Sequence, residues 1–142
     1  MTTMPPLMVI SKAETRLAAK KCKTWSSSSE PESLTTKRAA EIQQAYAQCP
    51  DTKLVASGYS QGGQIVHNAA ALLPAEVGSW ISSIVIFGDP DDGQAIPNVA
   101  ASKVDTYCNA GDNICVNGDL ILPAHLTYGL DATAAAAFVA AQ

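Results

Sequence analysis

Apolar and polar positions change their spacing along the chain, which predicts helices and buried strands in alternation. Over residues 33–48 the apolar positions share one face at helical spacing, so we predict a helix that ends before Pro50. Residues 53–57 form a short apolar run that predicts a buried strand. Apolar positions within residues 63–73 predict a second helix, which ends at Pro74 because proline disrupts helices.

Two further strands and a last helix complete the predicted order. Residues 80–87 end in a continuous β-branched run, which suits a strand covered on both faces, as in a parallel sheet. A third strand is predicted over residues 104–108, and Asp131 is predicted to cap a helix over residues 132–141. Strands and helices that alternate in this way predict a doubly wound α/β domain.

The composition excludes several classes of protein. The chain has 142 residues, of which 47% are hydrophobic, so we expect one domain with a substantial core. A formal net charge of −4 and the lack of a basic patch argue against nucleic-acid binding. No run of about 18 apolar residues occurs, so we expect no membrane span.

The N-terminal residues carry the weakest pattern. Residues 11–23 suit a short helix, whereas residues 25–32, with consecutive serines and Pro31, are typical of a loop or linker. We therefore divide the chain into a segment expected to be disordered, residues 1–30, and a folded domain, residues 31–142. The first residues lack the basic region and long apolar stretch of a secretory signal.

Four cysteines are present, at positions 22, 49, 108 and 115. No C-x-x-C pair occurs and the histidines lie far from most of the thiols in sequence, so a zinc site is not expected. Cys108 and Cys115 are close enough to close a short loop with a disulfide, which indicates an oxidising compartment. This indication conflicts with the missing secretory signal.

A G-x-S-x-G motif lies between the first predicted strand and the second predicted helix, at residues 58–62. A strand, a tight turn and a helix form the setting of a nucleophile elbow, which holds a serine hydroxyl at the end of a strand. The glycines allow the sharp turn, and the helix N-terminus favours developing negative charge. The motif therefore predicts a serine hydrolase with Ser60 as its nucleophile.

Two histidines are available as the general base. His67 lies seven residues after Ser60 on the same predicted helix, about 10 Å along its axis, and cannot reach the hydroxyl. We expect His67 to be a surface or packing residue. His125 lies in a loop late in the chain, and a loop at a strand end can direct a side chain toward the elbow, so we predict His125 as the base.

The acid of such a triad is expected between Ser60 and His125 in the chain. Asp112 is favoured because a disulfide from Cys108 to Cys115 would make its loop rigid, and the acid acts by orienting the imidazole. The aspartates within residues 89–92, which follow a predicted strand, remain rivals. The carboxylates in this interval are Glu76, Asp89, Asp91, Asp92, Asp105, Asp112 and Asp119.

Three segments taken together resemble the fungal cutinase family. They are G-Y-S-Q-G at residues 58–62, C-x3-D-x2-C at residues 108–115 and H-L-x-Y-G at residues 125–129. Their combination in this order is specific, and the resemblance runs from about residue 33 to the C-terminus. The F-G-D-P segment at residues 87–90 also resembles the related acetylxylan esterases.

The resemblance implies a fold, an activity and a site. Cutinases are secreted serine esterases that hydrolyse plant cutin and small soluble esters, so we expect a three-layer αβα domain of the α/β-hydrolase type with a mostly parallel sheet. The expected partner is an ester substrate, either cutin or a small ester, with acetylated xylan as the alternative. A monomer is expected, and no cofactor or metal is needed. The implied site residues are Ser60 as nucleophile, Asp112 as acid, His125 as base, the N–H of Gln61 as an oxyanion donor, and the disulfide from Cys108 to Cys115.

The resemblance does not extend over residues 1–30, so the domain is expected to be incomplete at its N-terminus. In the family this region supplies a central strand, a second oxyanion-hole residue and a cysteine that pairs with the equivalent of Cys49, for which Cys22 is the candidate here. Three hypotheses follow: an active cutinase-like esterase, an N-terminally truncated and impaired or inactive relative, and an unrelated thiol-dependent protein.

Overall fold

The computed structural model describes residues 33–142. The predicted helix over residues 11–23, the predicted loop over residues 25–32, the expected disorder of residues 1–30 and the pairing of Cys22 lie outside the described residues.

The described sheet has three parallel strands, β1 (Val55–Tyr59), β2 (Ser83–Phe87) and β3 (Val104–Tyr107), in the order β1-β2-β3. Because the strands are parallel, their carboxyl ends meet at one edge of the sheet. Ser60, Gly88 and Cys108 each directly follow the last residue of a strand at that edge. The edge therefore gathers the chain segments that carry the predicted site.

Four α-helices accompany the described sheet: α1 (Leu34–Gln48), α2 (Gln61–Ala71), α3 (Ala75–Trp80) and α4 (Ala132–Ala141). Ser33 caps α1, since its side-chain oxygen accepts a hydrogen bond from the N–H of Thr36 at 3.2 Å. Helix α2 packs against β1, α1 packs against α2, and α4 packs against β2.

The hydrophobic core explains why β2 reads as an uninterrupted apolar run. Ile84 and Ile86 are fully buried in the main core, together with apolar residues of α1 and α2. Side chains alternate between the faces of a strand, so Val85 points to the opposite face, and it is buried there as well. The predicted α/β architecture, with a parallel sheet and flanking helices, is thus confirmed.

Most predicted elements are present, with bounds displaced by up to two residues for the helices. The strand predicted over residues 80–87 starts too early, because Trp80 ends α3 and the strand begins only at Ser83. The pattern did not predict α3 at all. Helix α2 already ends at Ala71, and Pro74 stands at the N-cap of α3 with the extended backbone of a residue outside the helix.

The predicted cap of the last helix is wrong. Asp131 precedes α4 as expected, but its side chain makes no capping hydrogen bond. A 3-10 turn over Tyr128–Asp131 runs directly into α4 and gives Asp131 a helical backbone, whereas a capping residue needs a non-helical one.

Two observations concern a membrane span and a metal site, neither of which is expected from the sequence. Across residues 33–142, every helix falls short of the length and apolarity needed to cross a membrane. Within the same residues, no group of three or more histidine, cysteine or acidic side chains is arranged to hold a metal ion.

Candidate active site

Ser60 occupies the tight turn between β1 and α2. Its backbone has φ 56° and ψ −127°, a combination that residues other than glycine rarely adopt. The N–H of Ser60 donates to the carbonyl oxygen of Phe87 at 2.9 Å, and the N–H of Gly63 donates to the carbonyl oxygen of Ser60 at 2.8 Å. The first bond fixes the strained turn to the end of β2, and the second fixes it to the first turn of α2.

The first glycine of the motif is required by close packing inside the elbow. A β-carbon on Gly58 would lie 2.6 Å from the backbone carbonyl of Gly62, a distance that real β-carbons do not show. A β-carbon on Gly62 would meet nothing within 4 Å. The sharp turn therefore brings the backbone of α2 directly over β1, and Gly58 provides the necessary space.

His125 and Asp112 form a buried pair. The Nδ1 atom of His125 lies 2.8 Å from Oδ2 of Asp112, and the two residues are only 1% and 3% exposed. The other carboxylate oxygen, Oδ1, accepts a hydrogen bond from the N–H of Ile114 at 3.0 Å. A carboxylate at Nδ1 favours the tautomer whose Nε2 is unprotonated and free to accept a proton.

The loop that carries Asp112 is held at both ends. Cys108 and Cys115 are joined by a disulfide, which confirms the predicted bond. The side-chain amide of Asn109 donates to the carbonyl oxygen of Ala124 at 3.0 Å, and this bond ties the loop to the residue before His125. The segments that carry Asp112 and His125 are therefore joined by this hydrogen bond as well as by the contact between the two side chains.

The Nε2 atom of His125 is buried and has no hydrogen-bond partner among the described residues. Its bond to the hydroxyl of Ser60 is therefore not formed. The backbone nevertheless places the two residues at the same edge of the sheet, because Tyr59, the neighbour of Ser60, stacks on the imidazole with ring centroids 4.9 Å apart. The structure therefore brings Asp112 and His125 into contact, and Nε2 is left without a partner among the described residues.

Two tyrosines that the sequence reading did not select surround the imidazole. Tyr59 stacks on the ring, and its hydroxyl donates to the backbone carbonyl of His125 at 2.8 Å. Tyr128 is buried with its ring perpendicular to the imidazole, and its hydroxyl donates to Oδ2 of Asp112. Both tyrosines lie inside the motifs already noted, but only the fold shows that the two rings converge on His125.

The backbone of Gly88 lies close to the imidazole of His125, a contact that the sequence does not predict. It has φ +60°, and a β-carbon there would lie 2.7 Å from Cε1 and 2.9 Å from Nδ1 of His125. Any larger residue would push the ring away. A glycine directly after a buried strand was the available signal, but its contact with a residue so distant in the chain could not be foreseen.

Hydrogen bonds control the charge of the pair. Burial raises the pKa of Asp112, but the bonds from Tyr128, His125 and the N–H of Ile114 lower it more, so the pKa lies below its ordinary value. Burial and the bond to Asp112 raise the pKa of the Tyr128 hydroxyl. Tyr128 therefore remains a protonated donor, and Asp112 remains ionised at neutral pH.

His67 and its carboxylate partner form a second buried pair. The Nε2 atom of His67 lies 2.9 Å from Oδ2 of Asp89, so Asp89, a rival for the role of acid, faces the other histidine. His67 is buried in a packing position, not on the surface.

Gln61 stays beside Ser60, whereas the remaining carboxylates lie away from the His125 pair. Gln61 is the exposed first residue of α2, where backbone N–H groups lack acceptors within the helix. The remaining carboxylates are exposed or bonded outside the His125 pair: Glu76, Asp92 and Asp119 are exposed, Asp91 accepts from Gln94, and Asp105 accepts from Tyr107.

Comparison with known proteins identifies the family. The Cutinase family model matches residues 17–142, and thus begins within the segment that the sequence reading left unmatched. The chain belongs to the cutinase family. Over 101 residues, 71% of the chain, it is 64% identical to a cutinase of Botryotinia fuckeliana, and over 98 residues it is 60% identical to a cutinase of Monilinia fructicola.

Solved structures extend the comparison. A Trichoderma reesei cutinase in complex with a phosphonate inhibitor matches 75% of the chain with a TM-score of 0.73 and 50% identity. An acetylxylan esterase matches 76% of the chain with a TM-score of 0.61 and 26% identity. The chain spans about half the length of the cutinases it matches, with 50% of the Botryotinia protein and 48% of the Trichoderma structure covered.

Proposed function

We propose that this chain is a serine esterase that hydrolyses carboxylic ester bonds through an acyl-enzyme on Ser60. The observation that carries the proposal is the buried pair of His125 and Asp112, which lies at the same edge of the sheet as the strained elbow of Ser60. An imidazole oriented by a carboxylate is the base that a serine hydroxyl needs to become a nucleophile.

The reaction then follows in two halves. In the first half, Nε2 of His125 takes the proton of the Ser60 hydroxyl as Oγ attacks the ester carbonyl. The N–H of Gln61, at the start of α2, donates to the oxygen that becomes negative, and the helix N-terminus stabilises the same charge. The imidazolium gives its proton to the leaving alcohol, and water repeats the sequence to release the acid.

The surroundings of His125 support an apolar ester as the substrate. A cleft beside the imidazole is lined in part by Tyr59, Phe87 and Leu126. Large apolar side chains are exposed on the same segment, with Leu126 68% and Leu130 86% exposed. Such a surface favours contact with a water-insoluble substrate. Cutin or a similar ester is therefore proposed, with acetylated xylan as the alternative because an acetylxylan esterase shares the fold.

An impaired or inactive cutinase-like chain is the second candidate. It is favoured by one observation, the unmade bond between Ser60 and Nε2 of His125.

We also propose that the protein is secreted, which its family membership supports, and that it is a monomer.

Hydrolysis of p-nitrophenyl butyrate by the purified chain, with Ser60→Ala as the control, tests the esterase proposal. Turnover that disappears in Ser60→Ala supports it. A folded chain that neither turns over the ester nor reacts with a fluorophosphonate supports the inactive alternative.

A further inference from the structure

The second buried histidine–aspartate pair takes no part in the proposed reaction. Nε2 of His67 lies 2.9 Å from Oδ2 of Asp89, and the residues are 8% and 1% exposed. The remaining oxygen of Asp89 accepts a hydrogen bond from the N–H of Asp91 at 3.0 Å. Both carboxylate oxygens thus have hydrogen-bond partners, as buried polar groups require.

The pair joins two segments that carry the site. His67 belongs to α2, the helix that begins directly after Ser60, and Asp89 lies in the loop after β2. The first turn of α2 and Asp89 are in close contact, because a β-carbon on Gly63 would lie 2.8 Å from Oδ1 of Asp89. The loop after β2 is therefore packed and bonded onto the helix behind the nucleophile.

That loop also contacts the imidazole of the other pair. Gly88 immediately precedes Asp89, and its α-carbon lies so close to His125 that a β-carbon there would meet Cε1 at 2.7 Å. On its other side, the N–H of Gly88 donates to the carbonyl oxygen of Tyr107 in β3 at 2.8 Å. Gly88 is therefore bonded to β3 through its own N–H and is followed directly by Asp89, the partner of His67.

We propose that His67 and Asp89 are positioning residues: their bond fixes the loop after β2 to α2 and so holds Gly88 against the imidazole of His125. The proposal rests on the proposed esterase function and adds a role for two residues that do not touch the substrate. It has a physical reason, since a displacement of about 1 Å at a reacting group lowers the rate by about 100-fold.

Two variants of nearly equal size separate the bond from simple packing. His67→Gln keeps a side-chain N–H donor at about the reach of Nε2, whereas His67→Met has a similar length and no donor. The control is Asn68→Ala at the next residue of α2, which is exposed. If His67→Met does not fold, the double variant His67→Met with Asp89→Asn removes the donor without leaving a buried unpaired charge.

Two readouts are measured on each folded variant: kinetics with p-nitrophenyl butyrate, and the low-field proton resonance of His125 Nδ1. We expect His67→Met to lower kcat by about 10- to 100-fold with KM little changed, and to shift or broaden the resonance. His67→Gln is expected to keep most of the wild-type kcat and a resonance close to that of the wild type. Asn68→Ala is expected to change neither the kcat nor the resonance.

The resonance keeps the proposal testable if the esterase proposal fails. A wild-type chain without turnover contradicts the proposed function, while the resonances of His67→Met and His67→Gln still decide whether the pair positions His125. If His67→Met, or the double variant in its place, shows the wild-type resonance and, where turnover exists, the wild-type kcat, the positioning role is wrong.

Discussion

The hydroxyl of Tyr128 donates a hydrogen bond to Oδ2 of Asp112, the same oxygen that faces Nδ1 of His125. The oxygen of Tyr128 in turn accepts from the backbone N–H of Asn109 at 3.1 Å, so the phenol is itself fixed. Two hydrogen-bond donors to one carboxylate oxygen stabilise the ionised form of Asp112. They also restrict the orientation of the carboxylate relative to the imidazole.

The first prediction concerns this hydroxyl. Tyr128→Phe keeps the ring beside His125 and removes the donor to Asp112, and hydrogen bonds to charged groups contribute about 1.5–3 kcal/mol. We expect kcat/KM for p-nitrophenyl butyrate to fall by about 10-fold or more, since 1.4 kcal/mol corresponds to tenfold. The acidic limb of its pH profile is expected to move to higher pH, because Asp112 takes up a proton more readily.

Tyr59→Phe is the matched control for Tyr128→Phe. It also removes a hydroxyl bonded near His125, but that hydroxyl donates to a backbone carbonyl and not to the acid. We expect its pH profile to match that of the wild type. An acidic limb that is the same in all three proteins would show that Tyr128 does not act through Asp112.

The second prediction follows from the lowered pKa of Asp112. A carboxyl whose folded pKa lies below its unfolded value, about 3.9, contributes stability that is fully present above that value. The contribution is lost as the pH falls through the folded pKa. Tyr128→Phe raises the folded pKa, so its deficit in the free energy of unfolding relative to the wild type should be largest near neutral pH and shrink in acid. Urea unfolding of both proteins from about pH 6 to about pH 2.5 measures this; a deficit that grows in acid is the opposite outcome.

The third prediction compares two glycines with positive φ. Gly88→Ala introduces a β-carbon against the imidazole, whereas Gly93→Ala, with φ +83°, meets nothing within 4 Å. Both pay a backbone cost of about 1–2 kcal/mol, but only Gly88→Ala displaces His125. We expect both variants to melt at a lower temperature than the wild type, and we expect a loss of kcat in Gly88→Ala alone. Equal kcat values for the two variants would contradict the close contact.

The fourth prediction concerns the loop disulfide. Replacing Cys108 and Cys115 together by serine removes the closure of an eight-residue ring, which stabilises the fold by roughly 2.5 kcal/mol on the chain-entropy model. The loop of Asp112 also gains freedom, so kcat should fall at temperatures where the variant is still folded. Thermal unfolding measures the loss of stability, and ester turnover compared at equal folded fractions measures the effect of the freer Asp112 loop. An unchanged kcat in the folded variant would show that Asp112 does not need the disulfide for its position.

Several parts of the fold could be predicted because the pattern is local. The elbow, β2 and the last helix each carry their signal within a few residues, in the glycines of residues 58–62, the β-branched run before Gly88 and the alanine-rich end. Helix α3 is too short to show a helical period, so the pattern predicts Trp80 in the next strand. The predicted cap at Asp131 is wrong because a 3-10 turn runs into α4 and gives Asp131 a helical backbone.

The candidate site divides in the same way. Ser60, Asp112 and His125 could be selected from spacing, chain order and family resemblance. The contacts of Gly88 and Tyr59 with the imidazole join residues far apart in the chain, so no local pattern encodes them. The sequence favours Asp112 as the acid but leaves Asp89 as a rival, and only the fold shows that each aspartate faces a different histidine.

The reactivity of Ser60 is the most direct test of the account. The purified chain is treated with a fluorophosphonate and digested, and the labelled peptide is identified by mass spectrometry in the wild type, in Ser60→Ala and in His125→Ala. We expect a single adduct on Ser60 in the wild type, none in Ser60→Ala and greatly slowed labelling in His125→Ala. A folded wild type that is not labelled, or is labelled equally fast without His125, contradicts the account.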